Sequence, residues 1–208
     1  SETIGLVLLF GMTFISISTI LVIGAPVIDD ARENAQLEKT QVEFATLDQQ
    51  IRESVYTPSD SGASISLSEG GISVDPNSLT VNFTYDNGST YTANTTLGGM
   101  EYDHENMGVA YQNGGVWTRY RNGGTVTQSP PDMTYTGQSL SMTLINFTDS
   151  VDVSGSGTRL SISHGGVRKS DDLTDITDGA LENGTLTIDI GTDYAGAWSD
   201  YLNRTGME

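Results

Sequence analysis

Hydrophobic positions run unbroken at the start of this chain and then change period twice. From Thr3 to Ile28 no residue is charged. The run holds Ile4, Leu6, Val7, Leu8, Leu9, Phe10, Met12, Phe14, Ile15, Ile17, Ile20, Leu21, Val22 and Ile23. About 20 such residues span a bilayer as a helix. Charge then enters at Asp29, Asp30, Arg32, Glu33, Glu38 and Lys39, while Leu37, Val42, Phe44, Leu47, Ile51 and Val55 keep apolar positions at helical spacing. The pattern predicts one helix from about Thr3 to Tyr56, stopped by Pro58. At 1.5 Å per residue it would be roughly 80 Å long. Pro26 lacks an N–H and crowds the Val22 carbonyl. With Gly24 beside it, a kink near Gly24-Pro26 is expected, between a wholly apolar half and an amphipathic half.

From about Ser59 the period becomes two. Ile65/Leu67, Ile72/Val74, Leu79/Val81/Phe83/Tyr85, Leu140/Met142/Leu144, Leu160/Ile162 and Leu186/Ile188/Ile190 alternate with polar residues. The turn dipeptides Asn87-Gly88, Asn113-Gly114, Asn122-Gly123 and Asn183-Gly184 punctuate these runs, and Asn-Gly supplies the positive φ angles of tight hairpins. The reading is α+β: a helix over residues 1–57, then an antiparallel β-sandwich-like head over 58–208. Phe83, Tyr85, Tyr111, Trp117, Leu144, Phe147 and Trp198 are the expected large core members. Ala195–Leu202 fits a short helix or a last strand equally well.

Composition narrows the function. Lys+Arg number 9 against Asp+Glu 27, a net charge of −18. Such a surface repels phosphate backbones, so no nucleic-acid partner is expected. An acidic, Lys-poor surface suits a high-salt environment, where charges are screened within about 3 Å at 1 M. There is no cysteine, so core packing and assembly must stabilise the fold without disulfides.

Catalytic material is sparse. His104 lies among Glu101, Asp103 and Glu105, and His164 precedes Gly165-Gly166; both read as loop residues without an oriented partner. No nucleophile elbow or phosphate-binding loop is present, and no enzyme activity or cofactor is expected. The Asp171–Asp178 segment holds four aspartates but lacks the spacing and bidentate Glu of an EF-hand loop. It reads as a solvated acidic loop. Six Asn-x-Ser/Thr sequons, at Asn82, Asn87, Asn94, Asn146, Asn183 and Asn203, are candidate glycan acceptors, all outside the long helix. Turn chemistry accounts for some such strings by itself.

The opening Ser1-Glu2-Thr3-Ile4-Gly5-Leu6-Val7-Leu8-Leu9-Phe10-Gly11-Met12 resembles the mature start of archaeal, especially haloarchaeal, type IV pilin-like proteins. Met107-Gly108-Val109-Ala110-Tyr111, Gly115-Val116-Trp117, Ser129-Pro130-Pro131-Asp132-Met133 and Tyr194–Tyr201 are similar to the head domains of that group. A start without Met or a basic flank is what cleavage by a prepilin-type peptidase would leave. Bacterial type IV pilins usually carry Glu at the fifth position, where this chain has Gly5, so no pairing role carries over to Glu2. The resemblance implies an extracellular adhesion filament, membrane-inserted before assembly by ATP-driven platform machinery, with identical subunits as partners and N-linked glycans on the heads. The self-assembly residues would be Ile4, Leu8, Phe10, Gly11, Phe14, Ile17, Leu21, Pro26, Leu37, Phe44 and Ile51. An archaellum subunit shares this construction. A minor pilin, a single-pass membrane-anchored binding domain and a surface hydrolase are the other readings.

Overall fold

The computed structural model describes residues 2–56, 63–67, 70–86, 90–105, 107–136, 140–155, 157–163 and 184–207. Helix α1 spans Glu2–Tyr56 without interruption, with Pro26 inside it. The Val22 carbonyl loses its usual donor at the proline, yet the helix continues through Gly24 and Pro26.

Among the described residues eleven strands follow: β1 (Ala63–Leu67), β2 (Gly71–Asp86), β3 (Thr90–His104), β4 (Met107–Gln112), β5 (Gly115–Arg119), β6 (Thr125–Ser129), β7 (Met133–Tyr135), β8 (Leu140–Met142), β9 (Val151–Ser154), β10 (Thr158–Ile162) and β11 (Thr185–Gly191). Helix α2 spans Ala195–Arg204, which resolves the undecided C-terminal segment as a helix. Its buried residues, Ala197, Trp198 and Tyr201, recur at helical spacing. The fold is α+β, a long N-terminal helix and an antiparallel β head, as the change of period implies. One seven-stranded sheet runs β11-β2-β3-β4-β5-β6, with β9 also paired to β2; β1-β10 and β7-β8 form two ribbons.

The β2–β3 hairpin organises the head. Ile72 and Val74 are buried near the start of β2, and Leu79, Val81, Phe83 and Tyr85 farther along. The step from 74 to 79 is odd, and successive side chains alternate faces. One strand therefore buries one face early and the other face late. The pairing register shifts between Asp75 and Leu79, at Pro76, where a bulge re-aims the strand. The two runs that alternate separately in the sequence are thus parts of one strand.

The first sheet face carries the cross-strand rows Ile72–Tyr102–Val109–Thr118 and Val74–Met100–Tyr111–Val116. The second carries Ala110 opposite Trp117 and, past the bulge, Leu79, Val81 and Phe83. Helix α2 and the β7–β8 ribbon close that second face into one core around Trp117, Trp198, Tyr194 and Tyr201. Trp117 and Trp198 stack with centroids 4.3 Å apart. The β4–β5 turn uses Asn113 (φ 50°) and Gly114 (φ 76°), as the Asn-Gly rule demands. Leu144 and Phe147 are only half-buried. Strands β4 and β5 carry no alternation, because nearly all of their positions are covered on both faces.

The chain divides into two compact units, Ser1–Lys39 and Thr40–Glu208. The division falls inside α1, not at its end near residue 57. Residues 40–56 belong with the β head because their own side chains are held there. Arg52 donates to the Gly114 carbonyl at 2.7 Å and to the Pro130 carbonyl at 3.2 Å. Ser129 donates to Asp48 at 3.1 Å.

Candidate assembly surface

The apolar half of α1 covers none of its own side chains. Sixteen large apolar residues from Ile4 to Ile28 are at least half exposed, from Ile17 at 51% to Val22 at 74%. Ile4, Leu8, Phe10, Phe14, Ile17 and Leu21, all expected at the surface of assembly, are among them. Leaving sixteen such side chains in water costs on the order of 25 kcal/mol, at about 1.5 kcal/mol each. The helix is long and apolar enough to cross a membrane, with a mean hydropathy of 2.5 over its best window. This segment requires an apolar surrounding on every side.

Three of its hydroxyls are already bonded within the helix. Thr13, Ser16 and Thr19 donate to the carbonyls of Leu9, Met12 and Ile15 at 2.7, 2.8 and 2.8 Å. The hydroxyls are satisfied within the helix, so burial of this face leaves them no unmet donor. A side chain built at Gly5, Gly11 or Gly24 would meet nothing within 4 Å. These glycines serve nothing inside the subunit, and small residues permit close helix–helix approach. Pro26 stays on the uncovered stretch.

Three of the residues expected on the assembly surface lie elsewhere. Leu37, Phe44 and Ile51 are 4%, 0% and 6% exposed. Seven-residue spacing marks an apolar helix face, and here that face is consumed within the chain, leaving no surface for a neighbour. Val42, at 62% exposed, points away from it.

The head carries its own polar site. Tyr194 donates to Glu101 at 2.7 Å, and Arg119 donates to Glu101 at 3.1 Å and to Asp103 at 3.4 Å. Gly108 makes the room: a Cβ there would lie 2.8 Å from the Tyr194 hydroxyl and 3.0 Å from Glu101 Oε1. Burial raises the Glu101 pKa above the usual carboxylate value, while Tyr194 and Arg119 oppose the rise. Burial and the adjacent Glu101 charge raise the Tyr194 pKa too. Beside this network a cleft of about 440 Å³ opens at the β2 bulge, lined in part by Asp75, Ser78, Glu101, Gln112 and Asp193. Gln112 is buried, taking Thr192 Oγ1 at 2.9 Å on its carbonyl. No motif in the sequence signals this cleft, which exists only because the bulge brings β2, β3, β4 and the β11–α2 turn together.

The remaining candidates are placed as follows. His104 ends β3 and is not in a loop; its ring centroid lies 6.4 Å from that of Tyr102. His164 and Asp171–Asp178 lie outside the described residues. Among the described residues no cluster of His, Cys, Asp or Glu is arranged to hold a metal ion. Asn94, Asn146 and Asn203 are exposed and Asn82 is half-buried. Asn146 Oδ1 accepts the Gly98 N–H at 2.6 Å. Asn87 and Asn183 fall outside the described residues.

A family model, that of a family of unknown function, DUF7289, matches residues 1–208. The chain belongs to this DUF7289 family. No curated protein and no solved structure matches it. Membership therefore fixes the kinship of helix and head together and leaves the function to be argued from the surface just described.

Proposed function

We propose that this DUF7289 chain is a structural subunit of an extracellular filament of the type IV pilus kind, assembled through the apolar half of α1. The observation that carries the reading is the all-round exposure of Ile4–Ile28 on a helix whose continuation is built into the head. Before assembly the segment spans the membrane. Lipid is as apolar as a bundle of such helices, so transfer into the filament gains by packing, and Gly5 and Gly11 permit that packing. Outside the membrane, the cost of exposing the segment makes dissociation prohibitive. Head-to-tail contacts between identical copies generate open helices, not closed rings. No step needs a cofactor or an active site.

A second reading keeps α1 permanently in the membrane as the anchor of an extracellular binding domain. The 440 Å³ cleft favours it, since an anchor alone would need no cleft. Negative-stain microscopy of material sheared from producing cells decides between them. Filaments composed of this chain, lost in Leu8→Asp while the head stays folded, are the expected result. Monomers extracted only by detergent, with no sheared filament, would establish the anchor. Rotation of tethered cells would reassign the filament to motility.

A further inference from the structure

Two of the six sequons face each other across one hairpin. Asn82 on β2 is the register partner of Asn94 on β3, and Asp189 on β11 is the partner of Asn82 on its other side. The three side chains form one row across the sheet. Their Cβ atoms are spaced by about 4.5–5.5 Å, as for any directly opposed antiparallel residues. In an extended strand, residues i and i+2 share a face, so Thr84 stands beside Asn82 and Thr96 beside Asn94. Both complete acceptor motifs therefore emerge on one face, too close for two sugar rings, each about as wide as the spacing, to stand side by side.

The two asparagines are not equivalent. Asn82 is half-buried and boxed between strands β3 and β11. Asn94 is exposed. β4 pairs with β3 only from Gly99 to His104, so among the described residues no strand flanks β3 beyond Asn94. A group on Asn94 can lean outward over that open side; a group on Asn82 has no such exit.

We propose that Asn94 carries an N-linked glycan and that its cross-strand partner Asn82 stays bare, so that the pair acts as one modification site. The donor is an oligosaccharide on a lipid phosphate, used by a membrane transferase. A bond forms between Asn94 Nδ2 and sugar C1. The C1–O bond to phosphate breaks, the lipid phosphate leaves with the electron pair, and Nδ2 gives one proton to the transferase. The inference rests on the extracellular location proposed above and places the glycan on the face of the hairpin opposite Val81 and Phe83.

Glycopeptide mass spectrometry of the full chain from producing cells tests this. Wild-type protein should show sugar on the Asn94 peptide and none on the Asn82 peptide. Asn82→Gln and Thr84→Val should leave the mass of the Asn94 glycopeptide unchanged. Asn94→Gln and Thr96→Val should each remove that glycan, the second with Asn94 itself intact, which separates lost transfer from a folding defect. Sugar on both asparagines of one molecule, on Asn82 in preference to Asn94, or on neither would overturn the proposal. Microscopy of the same preparations keeps the two readings apart. Filaments with a bare Asn94 sink the glycan assignment alone, and a glycosylated Asn94 on anchored monomers sinks the filament alone.

Discussion

Asp48 and Arg52, one turn apart on α1, form an ion pair of 2.9 Å whose outer partners all belong to the head. Arg52 reaches on to the Gly114 carbonyl, and Asp48 accepts from Ser129. The Asp48 side chain is 8% exposed and that of Arg52 32%. Through these hydrogen bonds the pair ties its turn of the helix to loops of the sheet.

Arg52→Ala leaves Asp48 buried without its counter-charge. Loss of one partner of such a pair is costly, while replacing both by apolar groups is much less so. Chemical denaturation of the full chain in detergent should show a loss of about 2 kcal/mol for Arg52→Ala. Asp48→Leu/Arg52→Met should recover at least half of it. Equal losses in both variants would mean that the pair contributes by shape alone.

Trp198→Ala removes the stacking partner of Trp117 from the centre of the α2 core. Large-to-small changes of this size cost about 3–5 kcal/mol. Near-ultraviolet dichroism should lose the tryptophan signal, and the melting temperature should fall by about 10 degrees or more. A fall of only a few degrees would mean that α2 is dispensable to the head.

Glu101 gives stability a pH dependence whose sign follows from its raised pKa. The folded head holds the Glu101 proton more tightly than the unfolded chain. Its contribution is therefore fully present below the ordinary carboxylate pKa and fades as pH rises through the raised value. A glutamine side chain at this position has no such charge to bury. The melting temperature of wild type relative to Glu101→Gln should decline as pH rises from about 4 to 7. A difference that grows with pH would show that Arg119 and Tyr194 outweigh burial.

Gly108→Ala and Gly11→Leu separate fold from assembly. The first drives a methyl against the Tyr194 hydroxyl and Glu101, and should cost about 1–3 kcal/mol of head stability. At Gly11 an added Cβ meets nothing within 4 Å in the subunit. Gly11→Leu should leave the unfolding curve unchanged while reducing the yield of sheared filaments at least tenfold. A wild-type yield would remove close helix approach at Gly11 from the assembly mechanism.

The helix was legible in the sequence from Thr3 to Tyr56 because its signals are local: an uncharged run, then apolar residues at helical spacing. β1, β10 and β11 were legible for the same reason, as each alternates cleanly. Most of β3 was not. Thr90–Thr96 is nearly all polar or small, and Leu97–Met100 is buried without alternation. Its place is set by thirteen register partners on β2, which no short window of sequence contains. The helix-or-strand ambiguity of Ala195–Leu202 ended only when Trp198 and Tyr201 met Trp117.

The sequence by itself determined that the first half of α1 must find an apolar surrounding, since removing so many Leu, Ile, Val and Phe side chains from water is a property of composition and length. It also determined that a β-rich head follows. Only the tertiary structure decided that Leu37, Phe44 and Ile51 turn inward while Ile4 to Ile28 do not. The same structure made Asn82 and Asn94 neighbours and hollowed a cleft at the β2 bulge. Periodicity reports that a face is apolar. Which surface covers that face depends on pairings between residues far apart in the chain.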